Sequence, residues 1–180
     1  THPSPPRLMT LRARFTVSLT GLLTMAAVSL LLAQDITSKD LLDGLANPSR
    51  WLTYSGDYTG RRFSPLTQIK PANAGQLAPQ WTFQTGVVNK FEATPIVVDG
   101  VLYVTGPLNH AWAIDARTGR QIWHYQRQLP QGLKVCCGMV NRGFAVYGDR
   151  LFMGTLDAHF VALELKTGKV LYDIEMAAAK

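Results

Sequence analysis

The sequence is poor in cysteine, and its two cysteines, Cys136 and Cys137, are adjacent. Cysteines that form a disulfide usually have Cα atoms about 4.4–6.8 Å apart, whereas neighbouring Cα atoms across a trans peptide are about 3.8 Å apart. A bond between these two would be strained and would close no loop, so it is not a stabilising cross-link of the usual kind. The adjacency and the scattered positions of the four histidines also exclude a zinc site of the familiar Cys/His spacing.

The sequence also lacks the signals of nucleic-acid and nucleotide binding. Three of its 18 basic residues (Arg7, Arg12 and Arg14) lie in the first 33 residues, which contain no acidic residue, so the rest of the chain carries 15 basic and 12 acidic residues. Beyond the pair Arg61-Arg62 there is no Lys/Arg cluster. No glycine-rich phosphate loop precedes a helical pattern. We therefore expect no nucleic-acid partner.

Residues 1–33 are predicted to form a signal peptide. Arg12 and Arg14 give a positively charged start, residues 15–32 are uncharged and mostly apolar, and Ala33 is a small residue at a cleavage point. The apolar run is long for a signal and close to a short membrane span, so an uncleaved anchor is the alternative. Either interpretation exports the remaining chain to a compartment where disulfides persist.

The next segment, residues 34–50, is expected to contain one short helix. The stretch "ITSKDLLDGL" offers Thr37 or Ser38 as the N-cap and has Gly44 near the end. From Trp51 onward the helical period disappears, and residues 51–180 read as strands.

Two hairpin signals and a repeat define the strand region. "PIVVDGVLYV" and "AVYGDRLFMGT" are apolar runs around Asp99-Gly100 and Gly148-Asp149. The segments that follow them, "HAWAIDARTGRQIWHY" and "HFVALELKTGKVLYDI", align with each other, and their Thr-Gly glycines are 49 residues apart. An aromatic residue, Trp123 or Tyr172, follows each glycine by four positions.

Four strands per unit of about 45 residues predict an all-β fold made of antiparallel β-propeller blades. "LAPQWTFQTG", with Trp81, is an earlier partial copy. A β-sandwich with coincidental Thr-Gly turns is the alternative. Residues 51–180 suffice for two to three blades, whereas closed propellers typically have about four to eight, so we expect this sequence to be the N-terminal part of a larger protein.

Glu92 and Arg142 occupy the same place in successive repeats, just before the apolar strand. Equivalent positions of adjacent blades converge on one end of a propeller channel, so Glu92, Cys136, Cys137 and Arg142 could face one site. An arginine binds carboxylates in a bidentate manner, and this set suits a planar anionic ligand. The alternative for Glu92 is an ordinary solvated or paired acid.

Three stretches carry a family resemblance: "WLTYSGDYTGRRFSPLTQI", "FEATPIVVDGVLYV" and "CCGMVNRGFAVYGDRLFMGTLDAHFVALELKTGKVLY". They resemble the N-terminal part of the pyrroloquinoline-quinone (PQQ)-dependent alcohol dehydrogenases, the methanol and ethanol dehydrogenase group. The resemblance implies an eight-bladed propeller with the quinone at the channel mouth. It implies that Glu92 hydrogen-bonds the cofactor, that Cys136 and Cys137 form a vicinal disulfide stacked on one face of it, and that Arg142 binds its polar edge.

The resemblance further implies a periplasmic enzyme that oxidises a small alcohol. In that family a calcium or lanthanide ion polarises the quinone, an aspartate is the base, and electrons pass to a cytochrome c or another acceptor. The motifs for the metal ligands, the catalytic aspartate and the second cofactor wall are absent from this sequence. The 180 residues alone are therefore expected to be inactive, and no catalytic or metal-binding residue is assigned.

The other polar residues are predicted to be structural. His110, His124 and His159 lie in or beside strands and are interpreted as packed or rim residues, and Asp149 and Asp157 as turn residues. Two alternatives to the enzyme stay open: a non-enzymatic β-propeller scaffold of the cell envelope, and a remnant that folds only by oligomerising through its unpaired blade edges.

Overall fold

Eight strands in the computed structural model form two separate four-stranded antiparallel sheets. The first sheet contains, in order, β1 to β4 at Ile96–Val98, Val101–Thr105, His110–Asp115 and Gln121–Gln126. The second contains β5 to β8 at Ala145–Tyr147, Arg150–Gly154, His159–Glu164 and Val170–Glu175. Each sheet is one meander of sequential strands, which confirms the predicted blades.

The structure describes residues 35–178. The predicted signal peptide lies outside the described residues. The helices within them are α1 at Ser38–Asp43, α2 at Pro71–Ala74 and two 3₁₀ turns at Gly44–Ala46 and Pro107–Asn109. None of the helices in this range has the length and apolarity to cross a bilayer.

The two inner hairpins turn where the sequence predicts. Asp99 and Gly100 both have positive φ, at 48° and 81°, which is the backbone of the type I′ turn that follows the twist of paired strands. In the second sheet Gly148 takes the positive φ, at 61°, at the first turn position. Aspartate and glycine tolerate this left-handed conformation better than branched residues do.

The two sheets pack face to face, and Trp123 lies at their contact. The residues that face each other are apolar and buried: Ile96, Val98, Tyr103, Ala111, Ala113, Trp123, Phe144, Val146, Leu151, Met153, Val161, Leu163 and Leu165. Trp123 is 7% exposed, and its Nε1 donates to the Leu165 carbonyl at 3.0 Å. A Cβ on Gly168 would come within 2.7 Å of the indole, so only glycine lets the ring sit on that turn.

Trp81 repeats this contact on the first sheet. Its Nε1 donates to the Ala116 carbonyl at 3.1 Å, and its ring lies where a Cβ of Gly119 would be. Trp81 belongs to an extended segment that pairs with no strand among residues 35–178. The described part of the chain therefore contains two complete blades and the docking residue of a third element, within the predicted two to three.

The segment before the blades is bound to the inner edges of both. Helix α1 has Thr37 as its N-cap and Gly44 at its C-cap, as predicted. Ile36 forms a bridge with Gly148, and Trp51 forms one with Val97. No local pattern in the sequence indicates these two bridges, which pair backbone that would otherwise be a free edge.

A partly buried ion-pair network joins the outer end of the first blade to the second. The Arg127 guanidinium binds both oxygens of Asp157 at 2.9 and 2.7 Å and also contacts Asp173. Burial alone would lower the pKa of Arg127, but its hydrogen bonds to the two aspartates outweigh burial and raise it. Asp157 lies in a turn, as predicted. It is only 5% exposed, and through Arg127 it also binds the second blade to the first.

The blades differ at one histidine contact. In the first, His110 Nδ1 lies 2.8 Å from His124 Nε2; in the second, at the equivalent position, His159 Nδ1 lies 2.6 Å from an oxygen of Asp173. Burial and the neighbouring His124 lower the pKa of His110. All three histidines are in packed or paired positions, consistent with the structural role expected for them.

We expect Trp123→Phe to reduce the free energy of unfolding by about 2–3 kcal/mol, because it leaves the buried Leu165 carbonyl without its donor and opens a gap between the sheets. Trp81→Phe removes the same kind of bond at a half-buried position and should cost less. Urea unfolding of both variants measures the difference. Equal losses would show that Trp123 is not the dominant contact.

We expect His124→Asp to reverse the pH dependence of His110. With a lowered pKa, the stabilisation by His110 is present above its unfolded pKa of about 6.5 and is lost as the pH falls. With a carboxylate partner the pKa is raised, so the stabilisation is present below about pH 6.5 and is lost as the pH rises through the raised pKa. Between about pH 7.5 and 5.5 the variant should gain about 1 kcal/mol relative to the parent in urea unfolding; parallel profiles would contradict this.

Candidate functional site

Glu92 and Arg142 meet across the two blades. Glu92 precedes β1 and Arg142 precedes β5, and Arg142 Nη1 lies 2.9 Å from Glu92 Oε2. The two side chains are 71% (Arg142) and 36% (Glu92) exposed. Because an exposed ion pair contributes at most about 1 kcal/mol to stability, the fold gains little from it, and both groups remain accessible to a ligand.

The two cysteines lie beside this ion pair as exposed thiols. The Cys137 thiol donates to Cys136 Sγ at 2.9 Å, and this contact raises the pKa of Cys137. Arg142 and Glu92 are close enough to act on the same pKa in opposite directions. All four residues predicted for the site are thus brought together, two from a loop and one before each blade.

The backbone of the cysteine loop is held in an uncommon conformation. Cys137 has a φ of 66° and Gly138 a φ of 98°, so two successive residues are left-handed where a non-glycine residue normally costs energy. The loop is fixed to the first blade, since the Leu108 amide donates to the Met139 carbonyl at 2.9 Å. Strained residues of this kind are concentrated at ligand sites.

Asn141 positions Arg142 and was not predicted as a site residue. It is 7% exposed; its Nδ2 donates to the Gly154 carbonyl at 2.8 Å and its Oδ1 accepts from the Gly143 amide at 3.1 Å. An asparagine that binds a backbone amide two residues on forms an Asx turn. The Asn-Arg-Gly stretch carried that signal, with the arginine at the tip of the turn.

The set has the chemistry of a site for a flat anion. A guanidinium presents a planar row of donors that matches carboxylates, a carboxylate accepts hydrogen bonds from the ligand, and two sulfur atoms offer a polarizable surface. Among residues 35–178 no three His, Cys, Asp or Glu side chains are grouped as metal ligands. The described part of the chain therefore offers groups that bind and orient a ligand.

The chain is similar to known proteins over most of its length. A family model described as "PQQ: Glucose/ethanol/alcohol dehydrogenase, beta-propeller domain" matches residues 51–174. The chain belongs to this PQQ β-propeller family. Its relatives in the family are quinoprotein alcohol dehydrogenases.

Two relatives are from Thauera butanivorans. A "1-butanol dehydrogenase (quinone)" is 42% identical over 153 residues, which cover 83% of this chain and 25% of the relative. A "1-butanol dehydrogenase (cytochrome c)" is 43% identical over 125 residues, covering 68% of this chain and 18% of the relative. The solved quinohemoprotein alcohol dehydrogenase ADHIIG from Pseudomonas putida HK5 superposes with a TM-score of 0.74 at 37% identity, over 80% of this chain and 21% of that one. The chain thus spans about a quarter or less of the length of these relatives.

Proposed function

We propose that the protein oxidises an alcohol with PQQ, and that this chain supplies one side of the quinone site. The observation that carries the proposal is the open pair between Glu92 Oε2 and Arg142 Nη1, 2.9 Å apart, beside Cys136 and Cys137. Four ligand-binding groups meet there although they come from two blades and a loop. The relatives named above supply the reaction class.

The residues present fit the quinone. PQQ is planar and carries carboxylates, quinone oxygens and a ring N–H. Arg142 would donate to the oxygens of its polar, anionic edge, Glu92 would accept a hydrogen bond from the ring N–H, and the sulfur atoms would lie against the ring face. Bound PQQ would supply the acceptor for the hydride of an alcohol. What these residues do is bind and orient it, and the Asn141 turn keeps the arginine aimed at the site.

The remaining parts of the proposal concern the whole protein. Arg12 and Arg14 before the apolar run of residues 15–32 support export to the periplasm. The name of the relative "1-butanol dehydrogenase (cytochrome c)" supports a cytochrome c as electron acceptor. We propose a calcium or lanthanide ion beside the quinone, and we assign it no ligand among residues 35–178.

We expect Glu92→Gln and Arg142→Lys each to weaken the equilibrium binding of PQQ by about tenfold or more, because each removes one charge-assisted contact or the planar donor row. The measurement is a titration of the cofactor-free protein, as its host produces it, with PQQ. The unfolding free energy should change by less than about 1 kcal/mol, since the ion pair is exposed.

Arg150→Lys is the matched control. Arg150 forms an exposed pair with Asp149, with 3.3 Å between Nε and Oδ1, at the turn between β5 and β6. This substitution changes the same side chain in the same way at a position that contacts none of the four site residues. If Glu92→Gln and Arg142→Lys bind PQQ as tightly as Arg150→Lys does, the proposed quinone site is wrong.

We propose that Cys136 and Cys137 become a vicinal disulfide in the exported protein. Protein recovered from the periplasm should have a mass lower by two hydrogens than the reduced protein and should resist alkylation at both cysteines until it is reduced. Protein accumulated in the cytoplasm is the control and should be alkylated at both. Two free thiols in the exported protein would contradict this part of the proposal.

A further inference from the structure

The residue before Glu92 is packed against a rigid aromatic support. The Phe91 ring lies on Trp112, with ring centroids 6.1 Å apart and an angle of 32° between the planes. Both rings close over Gly106, where a Cβ would lie 2.6 Å from Trp112 and 2.8 Å from Phe91. Both rings therefore pack against the Cα of Gly106, and any side chain at this position would displace them.

Trp112 itself has little freedom to move. It is 1% exposed in β3. The His124 ring stacks on it at 5.1 Å, the His110 ring stacks at 5.5 Å, and the Phe83 ring meets its edge at 6.3 Å. In a close-packed interior such a ring transmits the position of one neighbour to another.

Glu92 has few other restraints. It lies in an irregular segment that ends where β1 begins at Ile96, and no backbone–backbone hydrogen bond binds residues 91–93 to any part of the described chain. Two contacts restrain the direction of its side chain, the ion pair with Arg142 and the packing of the adjacent Phe91 on Trp112. Phe91 is 43% exposed, so its contact with Trp112 contributes more to placing the segment than to filling a core.

We propose that Trp112, through Phe91 and over Gly106, positions Glu92 for the ligand. Trp112 and Gly106 are positioning residues, since neither belongs to the group of four that meets the ligand. The inference rests on the proposed function, because the effect of a displaced Glu92 is measured on the quinone. The proposal goes further than that function, because it makes the affinity for the quinone depend on aromatic packing inside the first blade.

The test is PQQ affinity in Phe91→Ala, with Phe83→Ala as the matched control. Both substitutions remove a phenyl ring from Trp112, but only Phe91 is joined to Glu92. Phe91→Ala should weaken binding of PQQ to the cofactor-free protein, as its host produces it, by about tenfold. Phe83→Ala should stay within about twofold of the parent, whereas a merely structural role of the cluster would make both variants lose affinity alike.

A double variant separates positioning from general damage. If Phe91 acts through Glu92, then Phe91→Ala combined with Glu92→Gln should bind PQQ no more weakly than Glu92→Gln alone, because the shared contact is already lost. Gly106→Ala should reproduce the Phe91→Ala effect by displacing the rings.

The outcomes are distinguishable from failure of the quinone site. Parent-like affinity in Phe91→Ala, or a loss that adds fully to that of Glu92→Gln, overturns the positioning role while the quinone site stands. Parent-like affinity in Glu92→Gln itself overturns the proposed function, and the inference with it.

Discussion

The indole of Trp123 is the contact on which the arrangement of this protein depends. It lies on the Thr167-Gly168 turn of the next blade with its N–H bound to a buried carbonyl, and the facing apolar residues pack around it. Glu92 precedes the first strand of one sheet and Arg142 precedes the first strand of the other, so their 2.9 Å contact exists only when the two sheets pack face to face. This ion pair is thus a consequence of docking between blades, since the two residues precede different blades.

Apolar packing alone would not fix how the two sheets are aligned, because it is non-directional. Arg127 adds direction: its guanidinium needs the Asp157 and Asp173 oxygens in a defined geometry. If the blades slipped by one residue, the half-buried Arg127 would lose both carboxylate partners, and the slipped arrangement would be less stable. The packing of Trp123 therefore stabilises the contact between the two sheets, and the ion pairs of Arg127 fix their position relative to each other.

Much of the fold could be predicted from the sequence because its signals are local. Asp99-Gly100 requires a turn by its backbone preferences, and the Thr-Gly turns with a following aromatic repeat at a fixed spacing. Glu92 and Arg142 could be proposed for the candidate site from their equivalent places in that repeat, and Cys136 and Cys137 from their adjacency in the same loop. The pairing of Arg127 with Asp157 and the packing of Trp112 on Phe91 could not, because both join residues whose separation in the chain carries no period.

The candidate site lies at the strand ends opposite the Thr-Gly turns that contact the tryptophans. The turns that receive the tryptophans are rigid, so the loops at the other strand ends can carry the strained Cys137 and the exposed Arg142 without loss of the fold. An exposed ion pair in water has little energy, but a flat ligand placed over it would exclude water and strengthen each charged contact. Glu92 and Arg142 would then form stronger charged contacts in the presence of the ligand than they form with each other in water. On the proposed function, this is the reason for two opposite charges 2.9 Å apart on loops that packing alone would not require to meet.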